Sequence, residues 1–172
     1  MEFSSFVQES ISVTSEWLEV EAIARLLRES LARTETAQLI EQANQPTKSS
    51  AEVQEVFRIA AEGLGFQSER NGLFQDSVAG LRPDFYRPIG QTGIIIEVER
   101  GKTTTNNMDL LDFWKCHICA NASYLFLFVP QVLRHSPGGR PKHEFKSVER
   151  RLSHFFTPEN YSNVLGLCLF GY

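Results

Sequence analysis

The sequence has little of what secreted and membrane proteins depend on. Its 172 residues include three cysteines, an odd and small number that suits a reducing cytosol better than a disulfide scaffold. The longest apolar stretch without a charge, residues 120–130, is too short to span a bilayer. The first residues lack the basic and then apolar regions of a signal peptide. We therefore expect a cytoplasmic protein with no membrane partner.

An excess of positive charge is also missing. The chain has 17 Lys and Arg against 21 Asp and Glu, a net charge of −4. The charge is uneven, because residues 1–80 hold thirteen acids and six bases, whereas residues 81–172 hold eight acids and eleven bases. The local field matters more for nucleic-acid binding than the total charge does. The overall balance therefore neither supports nor excludes a nucleic-acid partner.

The chain is predicted to fold around a core of its own. Apolar residues make up 42% of it and include thirteen Phe, which argues against disorder. Residues 15–44 have apolar residues near a 3.6-residue period after a possible cap at Ser15, which predicts a helix. A second helix is expected over 51–64, capped by Ser50. We expect residues 1–48 to form a helical extension packed on a core of residues 49–172.

The remaining pattern alternates strands and helices. The run 124–129 is apolar throughout, which indicates a strand covered on both faces. The helix predicted over 107–120 has Leu110, Leu111, Trp114, Ile118 and Cys119 as its expected core face. Further strands are predicted over 66–70 and 73–78 (around an Asn71-Gly72 turn), 82–86, 94–100 and 164–170, and a helix over 144–156. The fold class is α/β, a mixed β-sheet flanked by helices.

Three carboxylates stand out from this framework. Asp84 follows Pro83, while Glu97 and Glu99 end a strand that begins with three isoleucines. Side chains alternate along a strand, so Glu97 and Glu99 point the same way. Two like charges at a buried strand end repel each other, and a divalent metal relieves that repulsion. If Asp84 arrives on a neighbouring strand, the three carboxylates converge on one point and form a magnesium site.

The pair Pro83-Asp84 followed by Glu97-x-Glu99 resembles the signature of the PD-(D/E)-x-K nuclease superfamily, which has the restriction-endonuclease-like fold. The sequence departs from that pattern in its last place, where Glu99 replaces the usual lysine. Some members carry glutamate there. Lys102, three residues further on, could reach back to take the lysine's part, so Glu99 and Lys102 both remain candidates for that role.

The resemblance implies an Mg²⁺-dependent endonuclease that hydrolyses DNA phosphodiester bonds, with Mn²⁺ as a substitute. Asp84 and Glu97 would bind the metal, with the Val98 carbonyl as a possible third ligand. Glu99 or Lys102 would orient or deprotonate the attacking water. Nucleases of this kind often bring an acid from the helix before the hairpin, for which Glu55 is the candidate here.

Several basic residues are candidates for contact with DNA. Lys115, on the helix after the acidic strand, resembles the residue that touches a phosphate near such sites. A loop and helix downstream hold six bases against two acids, a composition that suits a phosphate backbone. Those six are Arg134, Arg140, Lys142, Lys146, Arg150 and Arg151.

Two other functions fit the same residues. Because position 99 lacks the lysine, the chain could be a catalytically inactive, nuclease-like subunit for DNA binding or assembly. The acidic, apolar-striped helix at 15–44 could instead bind a protein partner, or a second copy of the chain in a homodimer. The clustering of Asp84, Glu97 and Glu99 argues against a pure interaction module.

Overall fold

A computed structural model describes residues 1–45, 48–68, 74, 81–101, 103–133 and 141–172. The helices in this part are α1 (Ser15–Leu31), α2 (Thr34–Ala43), α3 (Ser50–Gly63), α4 (Met108–Ile118) and α5 (Glu144–Leu152). The strands are β1 (Glu2–Val7), β2 (Gln67–Ser68), β3 (Phe85–Ile89), β4 (Thr92–Val98), β5 (Tyr124–Val129), β6 (Val132–Leu133), β7 (Lys142–His143) and β8 (Gly166–Gly171). Short 3-10 turns lie at Glu9–Ile11, Ser153–Phe156 and Pro158–Asn160.

The main sheet is mixed and has the strand order β1-β8-β5-β4-β3-β2. Strands β4, β5 and β8 run parallel, whereas β1 and the β2–β3 end are antiparallel to their neighbours. Every residue of β5 and β8 is buried, as expected for central strands covered on both faces. The α/β fold class, a mixed sheet flanked by helices, is confirmed.

Two helical layers cover the sheet. On one face α1 and α3 pack their apolar sides against Ile94, Ile96 and Val98 of β4. On the other face α4 and α5 cover Ile95 and the odd-numbered residues of β5. Alternation along β4 therefore directs Glu97 and Glu99 to the α4 side. The sequence predicted that these two carboxylates point the same way, and the strand geometry bears this out.

The hairpin of β3 and β4 brings Asp84 to the acidic strand. Gly90, in the turn, has a φ of +51°, a conformation that favours glycine. Phe85 pairs with Ile96, so Asp84, one residue before β3, lies beside the carboxyl end of β4. The strand predicted over 82–86 is wrong in its bounds, because residues 82–84 precede β3 and the strand continues to Ile89.

The first predicted helix is in fact two helices. The break between α1 and α2 falls at residues 32–33. Thr14, not Ser15, caps α1, because the Trp17 backbone N–H donates to its hydroxyl at 3.2 Å. Ser49, not Ser50, caps α3 in a capping box with Glu52. Both predicted caps were one residue late in the chain.

The predicted core face of α4 is wrong at three of its five residues, whereas Leu110 is partly buried and packs against the core. Leu111, Trp114 and Ile118 are 52%, 52% and 51% exposed. The helix instead buries Asp109, Asp112, Phe113 and Cys116. Two of the buried residues on that face are aspartates, so the face looks polar in the sequence. The spacing of apolar residues therefore predicts the opposite, solvent-exposed face as the core face. Cys119 is buried, as predicted.

The apolar side of α1 is buried in the monomer. Its inward residues, including Trp17 and Leu27, belong to the core between helix and sheet. The stripe that suggested a homodimer contact is thus already covered, and the dimer stays a prediction without that support. The boundary at residues 48 and 49 also stays a prediction, since α1 and α3 share one core.

The predicted hairpin and the first strand of the sheet differ in how the structure bears on them. The hairpin predicted around Asn71-Gly72 lies outside the described residues, except for residues 66–68, which include β2, and Phe74. Strand β1, which was not predicted, pairs antiparallel with β8 from Glu2 to Val7. In the described ranges, no helix combines the length and apolarity that crossing a membrane requires.

Candidate active site

Asp84 is held by donors from two different elements. Its Oδ2 accepts the Val98 backbone N–H at 2.8 Å, and its Oδ1 accepts the Gln54 side-chain amide at 2.8 Å. The first bond ties the residue to the end of β4, and the second ties it to α3. The carboxylate therefore lies where β3, β4 and α3 meet, next to the backbone of Val98.

Glu97 is the penultimate residue of β4 and is 2% exposed. Its Oε2 lies 3.0 Å from Lys115 Nζ, which belongs to α4. Its Oε1 is buried and has no hydrogen-bond donor within the described part of the chain. A buried carboxylate oxygen without a donor is costly, so it marks a position where a cation or a proton would be stabilising.

Asp112 and Lys115 extend the cluster from the helix side. Lys115 Nζ lies 3.0 Å from Asp112 Oδ1 as well as from Glu97, and it is 29% exposed. Asp112 is fully buried and interacts with Glu99 through its side chain. Sequence analysis predicted Lys115 as a phosphate contact and missed Asp112 entirely. The spacing of three residues between them on one helix was the available signal.

Burial and neighbouring charges shift the pKa values of all four groups described next. Burial, and then the Asp112 charge, hold the pKa of Glu97 well above its ordinary value, with Asp84 adding to the effect. Burial and Asp112 raise the pKa of Glu99 to about 8. Burial also raises the pKa of Asp112, although Lys115 opposes the shift. Desolvation lowers the pKa of Lys115, but Glu97 and Asp112 outweigh it, so that pKa rises and the side chain stays charged.

Oxygen donors of this kind suit a hard divalent cation. Within the described residues, no three Asp, Glu, His or Cys side chains are already arranged to hold a metal ion. The unpaired Glu97 Oε1 and the mutual repulsion of the carboxylates nevertheless fit one. Asp84 and Glu97 are the residues that would hold it, with the Val98 carbonyl as the predicted third ligand.

The helix before the hairpin contributes a residue other than the predicted one. Glu55 forms an ion pair with Arg58 at 2.6 Å and its side chain is 45% exposed. Gln54, its neighbour, is the side chain of α3 that hydrogen-bonds Asp84. Sequence analysis sought an acid here and so passed over the amide. The catalytic part given to Glu55 stays a prediction.

A second polar cluster ties α5 to the segment after β4. Glu144 is fully buried, accepts the Thr104 N–H at 2.8 Å and pairs with Lys142 at 3.1 Å. Asp109, also fully buried, pairs with Arg151 at 3.4 Å. Lys142 and Arg151, predicted to contact DNA, thus compensate buried carboxylates in this structure.

The other predicted DNA contacts differ in their surroundings. Lys146 is 60% exposed and pairs with Glu149 at 3.0 Å and Glu2 at 3.5 Å. Arg150 is exposed and has no ion pair in the ranges described. Lys102, Arg134 and Arg140 lie outside the described residues.

Comparison with known proteins adds one structural similarity. No family model and no curated protein matches this chain. A crystal structure of restriction endonuclease BglII complexed with a DNA 16-mer is 8% identical, covers 98% of this chain and 77% of that one, and aligns with a TM-score of 0.41.

Proposed function

We propose that this chain is a metal-dependent endonuclease that hydrolyses DNA phosphodiester bonds. The observation that carries the proposal is the cluster at the end of β4, where Glu97 lies beside Lys115 and near Asp84, Glu99 and Asp112. Bringing like charges together out of water is expensive. Carboxyl groups whose pKa values are shifted by burial and by each other are typical of functional sites.

Asp84 and Glu97 would bind Mg²⁺, and Mn²⁺ would substitute for it. A bound metal lowers the pKa of water and neutralises charge on the phosphate. Glu99 would accept the proton that the attacking water loses. Burial and Asp112 raise its pKa to about 8 in the absence of metal, so this role needs the ionised form, which the charge of a bound cation would favour. As the new P–O bond forms, the bond from phosphorus to the 3′ oxygen breaks. That oxygen takes up a proton, which leaves 3′-hydroxyl and 5′-phosphate ends.

Lys115 supplies the positive charge that the motif lacks at position 99. Its ammonium lies 3.0 Å from Glu97 Oε2 and stays protonated in the presence of the carboxylates. From there it would contact a phosphate oxygen as negative charge develops in the transition state. Lys102 keeps its place as the alternative.

The glutamate at position 99 also supports a second candidate, an inactive subunit that binds DNA without cutting it. The two functions make different predictions for the same assay. Supercoiled plasmid, branched DNA and single-stranded DNA are incubated with Mg²⁺ or Mn²⁺ and the wild-type chain, Asp84→Asn, Glu97→Gln or the control Glu159→Gln. Glu159 is exposed in a turn after α5.

We expect metal-dependent cutting by the wild type and by Glu159→Gln, and only background cutting by the two site variants. If no substrate is cut with either metal while DNA still binds in a salt-dependent manner, the inactive subunit is the correct function. If DNA neither binds nor is cut, both candidates are wrong.

A further inference from the structure

Gln54 is a side chain of α3 that reaches the carboxylate cluster. Its amide nitrogen donates to Asp84 Oδ1 at 2.8 Å, thirty residues along the chain. The other oxygen of Asp84 accepts the Val98 N–H at 2.8 Å. Each oxygen therefore accepts a hydrogen bond from a described residue, and these two bonds orient the plane of the carboxylate.

The rotation of α3 selects Gln54 for this contact. The capping box of Ser49 and Glu52 sets where the helix begins. Val53 and Phe57, on adjacent turns, are buried against the sheet and set the rotation. Gln54 then faces Asp84, while Glu55 turns toward Arg58. The contact therefore follows from how the helix is seated.

An amide suits this position better than a carboxylate does. Burial raises the pKa values of Glu97 and Glu99, and the nearby carboxylates of Asp112 and Asp84 raise them further. A glutamate at 54 would add a further carboxyl group to the cluster and would need a proton of its own to donate to Asp84. The amide orients Asp84 through an N–H donor without adding charge.

We propose that Gln54 is a positioning residue, whose side-chain N–H holds the Asp84 carboxylate in the orientation that binds the metal. Its part in metal binding rests on the proposed function. Its hold on Asp84 does not, because that follows from hydrogen bonds present without any metal. Partners that orient a metal ligand in this way typically change metal affinity by about 10–100-fold when removed.

The test uses two variants that remove the donor and differ in volume. Gln54→Met keeps the length of the side chain, whereas Gln54→Ala does not. Gln38→Met is the control, because Gln38 is also a helical glutamine but is exposed on α2. Affinity for Mn²⁺ is measured by electron paramagnetic resonance, without DNA. Hydrogen exchange of the Val98 amide is measured by NMR in metal-free protein.

We expect both Gln54 variants to bind Mn²⁺ about tenfold more weakly and to exchange the Val98 amide faster, because the carboxylate that accepts it is no longer fixed. Gln38→Met should match the wild type in both measurements. Weakening in Gln54→Ala alone would show that volume and not the donor matters, and would overturn the proposal. Unchanged affinity and exchange in both variants would overturn it as well.

The two proposals fail in different ways. If the wild type binds no Mn²⁺, the metal site of the proposed function is wrong. In that case the exchange rate of the Val98 amide still tests whether Gln54 orients Asp84, because it is measured without metal.

Discussion

Lys115 Nζ lies 3.0 Å from Glu97 Oε2, which joins α4 to the end of the central strand β4. The two residues are far enough apart in sequence that no local motif links them. The pair brings a lysine to the acidic cluster although position 99 is a glutamate. Among the described residues, Lys115 of α4 brings a positive charge to this cluster.

Removing Lys115 should cost both stability and activity. Lys115→Met leaves Glu97 and Asp112 buried without their cation, so we expect the metal-free protein to lose about 2–4 kcal/mol of unfolding free energy at pH 8. Cleavage should fall even under conditions where the variant remains folded. Urea unfolding and plasmid cleavage measure the two effects.

The control is Lys48→Met, which removes an exposed lysine just before α3 that pairs with Glu52, four residues further on. Exposed pairs of this kind contribute about 0–1 kcal/mol. Equal losses in the two variants would contradict a special place for Lys115.

Metal-free protein should become less stable as the pH rises towards the folded-state pKa of Glu99. The folded-state pKa of about 8 lies above the ordinary value of 4.5. The folded protein therefore holds a proton that the unfolded chain releases, and the resulting stability is lost between these two pH values. Thermal unfolding in EDTA from pH 4 to pH 9 measures the slope.

Glu99→Gln removes this titration and should flatten the curve. Above pH 8 we expect the variant to be more stable than the wild type by roughly 1–3 kcal/mol, because a neutral amide replaces a buried charge. Superimposable curves for the two proteins would show that Glu99 titrates at its ordinary pKa.

Neighbouring arginines of α5 should separate stability from DNA binding. Arg151 pairs with the fully buried Asp109, so Arg151→Gln should lower the free energy of unfolding by roughly 2–4 kcal/mol. Arg150 is exposed, so Arg150→Gln should leave stability within about 0.5 kcal/mol. If Arg150 contacts a phosphate, its loss should reduce the slope of log affinity against log salt by about one.

Chemical denaturation and fluorescence anisotropy over a salt series are the measurements. A stable Arg151→Gln would mean that Asp109 is protonated in the folded protein. An unchanged salt slope in Arg150→Gln would remove Arg150 from the DNA-binding surface.

Two glycines offer a matched test of packing. A Cβ on Gly166 would lie 2.3 Å from Cζ3 of the buried Trp17 ring. Gly166→Ala must therefore displace α1 from β8, and we expect a loss of about 1–3 kcal/mol. Gly63, near the end of α3, has nothing within 4 Å of its Cβ position. Gly63→Ala should stabilise by about 0.4–1 kcal/mol. Thermal melts of the two variants should move in opposite directions, and a shift of the same sign in both would contradict this packing.

The sequence allowed a good part of this framework to be predicted. Strand β5 matches its predicted bounds. An unbroken apolar run of this length is stable when both faces are buried, as in the middle of a sheet covered by helices. The shared face of Glu97 and Glu99 follows from alternation, and the approach of Asp84 follows from the hairpin. These are local consequences of strand geometry.

The features that could not be predicted depend on distant partners. The inner face of α4 contains Asp109 and Asp112, and only the folded chain shows that Arg151 and Lys115 compensate them. Nothing in the sequence distinguishes Gln54 from other glutamines, because its hydrogen bond to Asp84 forms only when α3 packs on the sheet. Strand β1 has no long apolar run of its own and is defined by β8 at the far end of the chain.

The position of β8 between β1 and β5 has a consequence for synthesis on the ribosome. Phe3 pairs with Phe170, so β1 leaves the exit tunnel long before the strand with which it pairs. At translation rates of about 5–20 residues per second, that wait is roughly 8–30 s. During it, β1 and the exposed edge of β5 are free to pair with other chains. Nascent chains of this protein should therefore depend on chaperones until residue 171 has emerged.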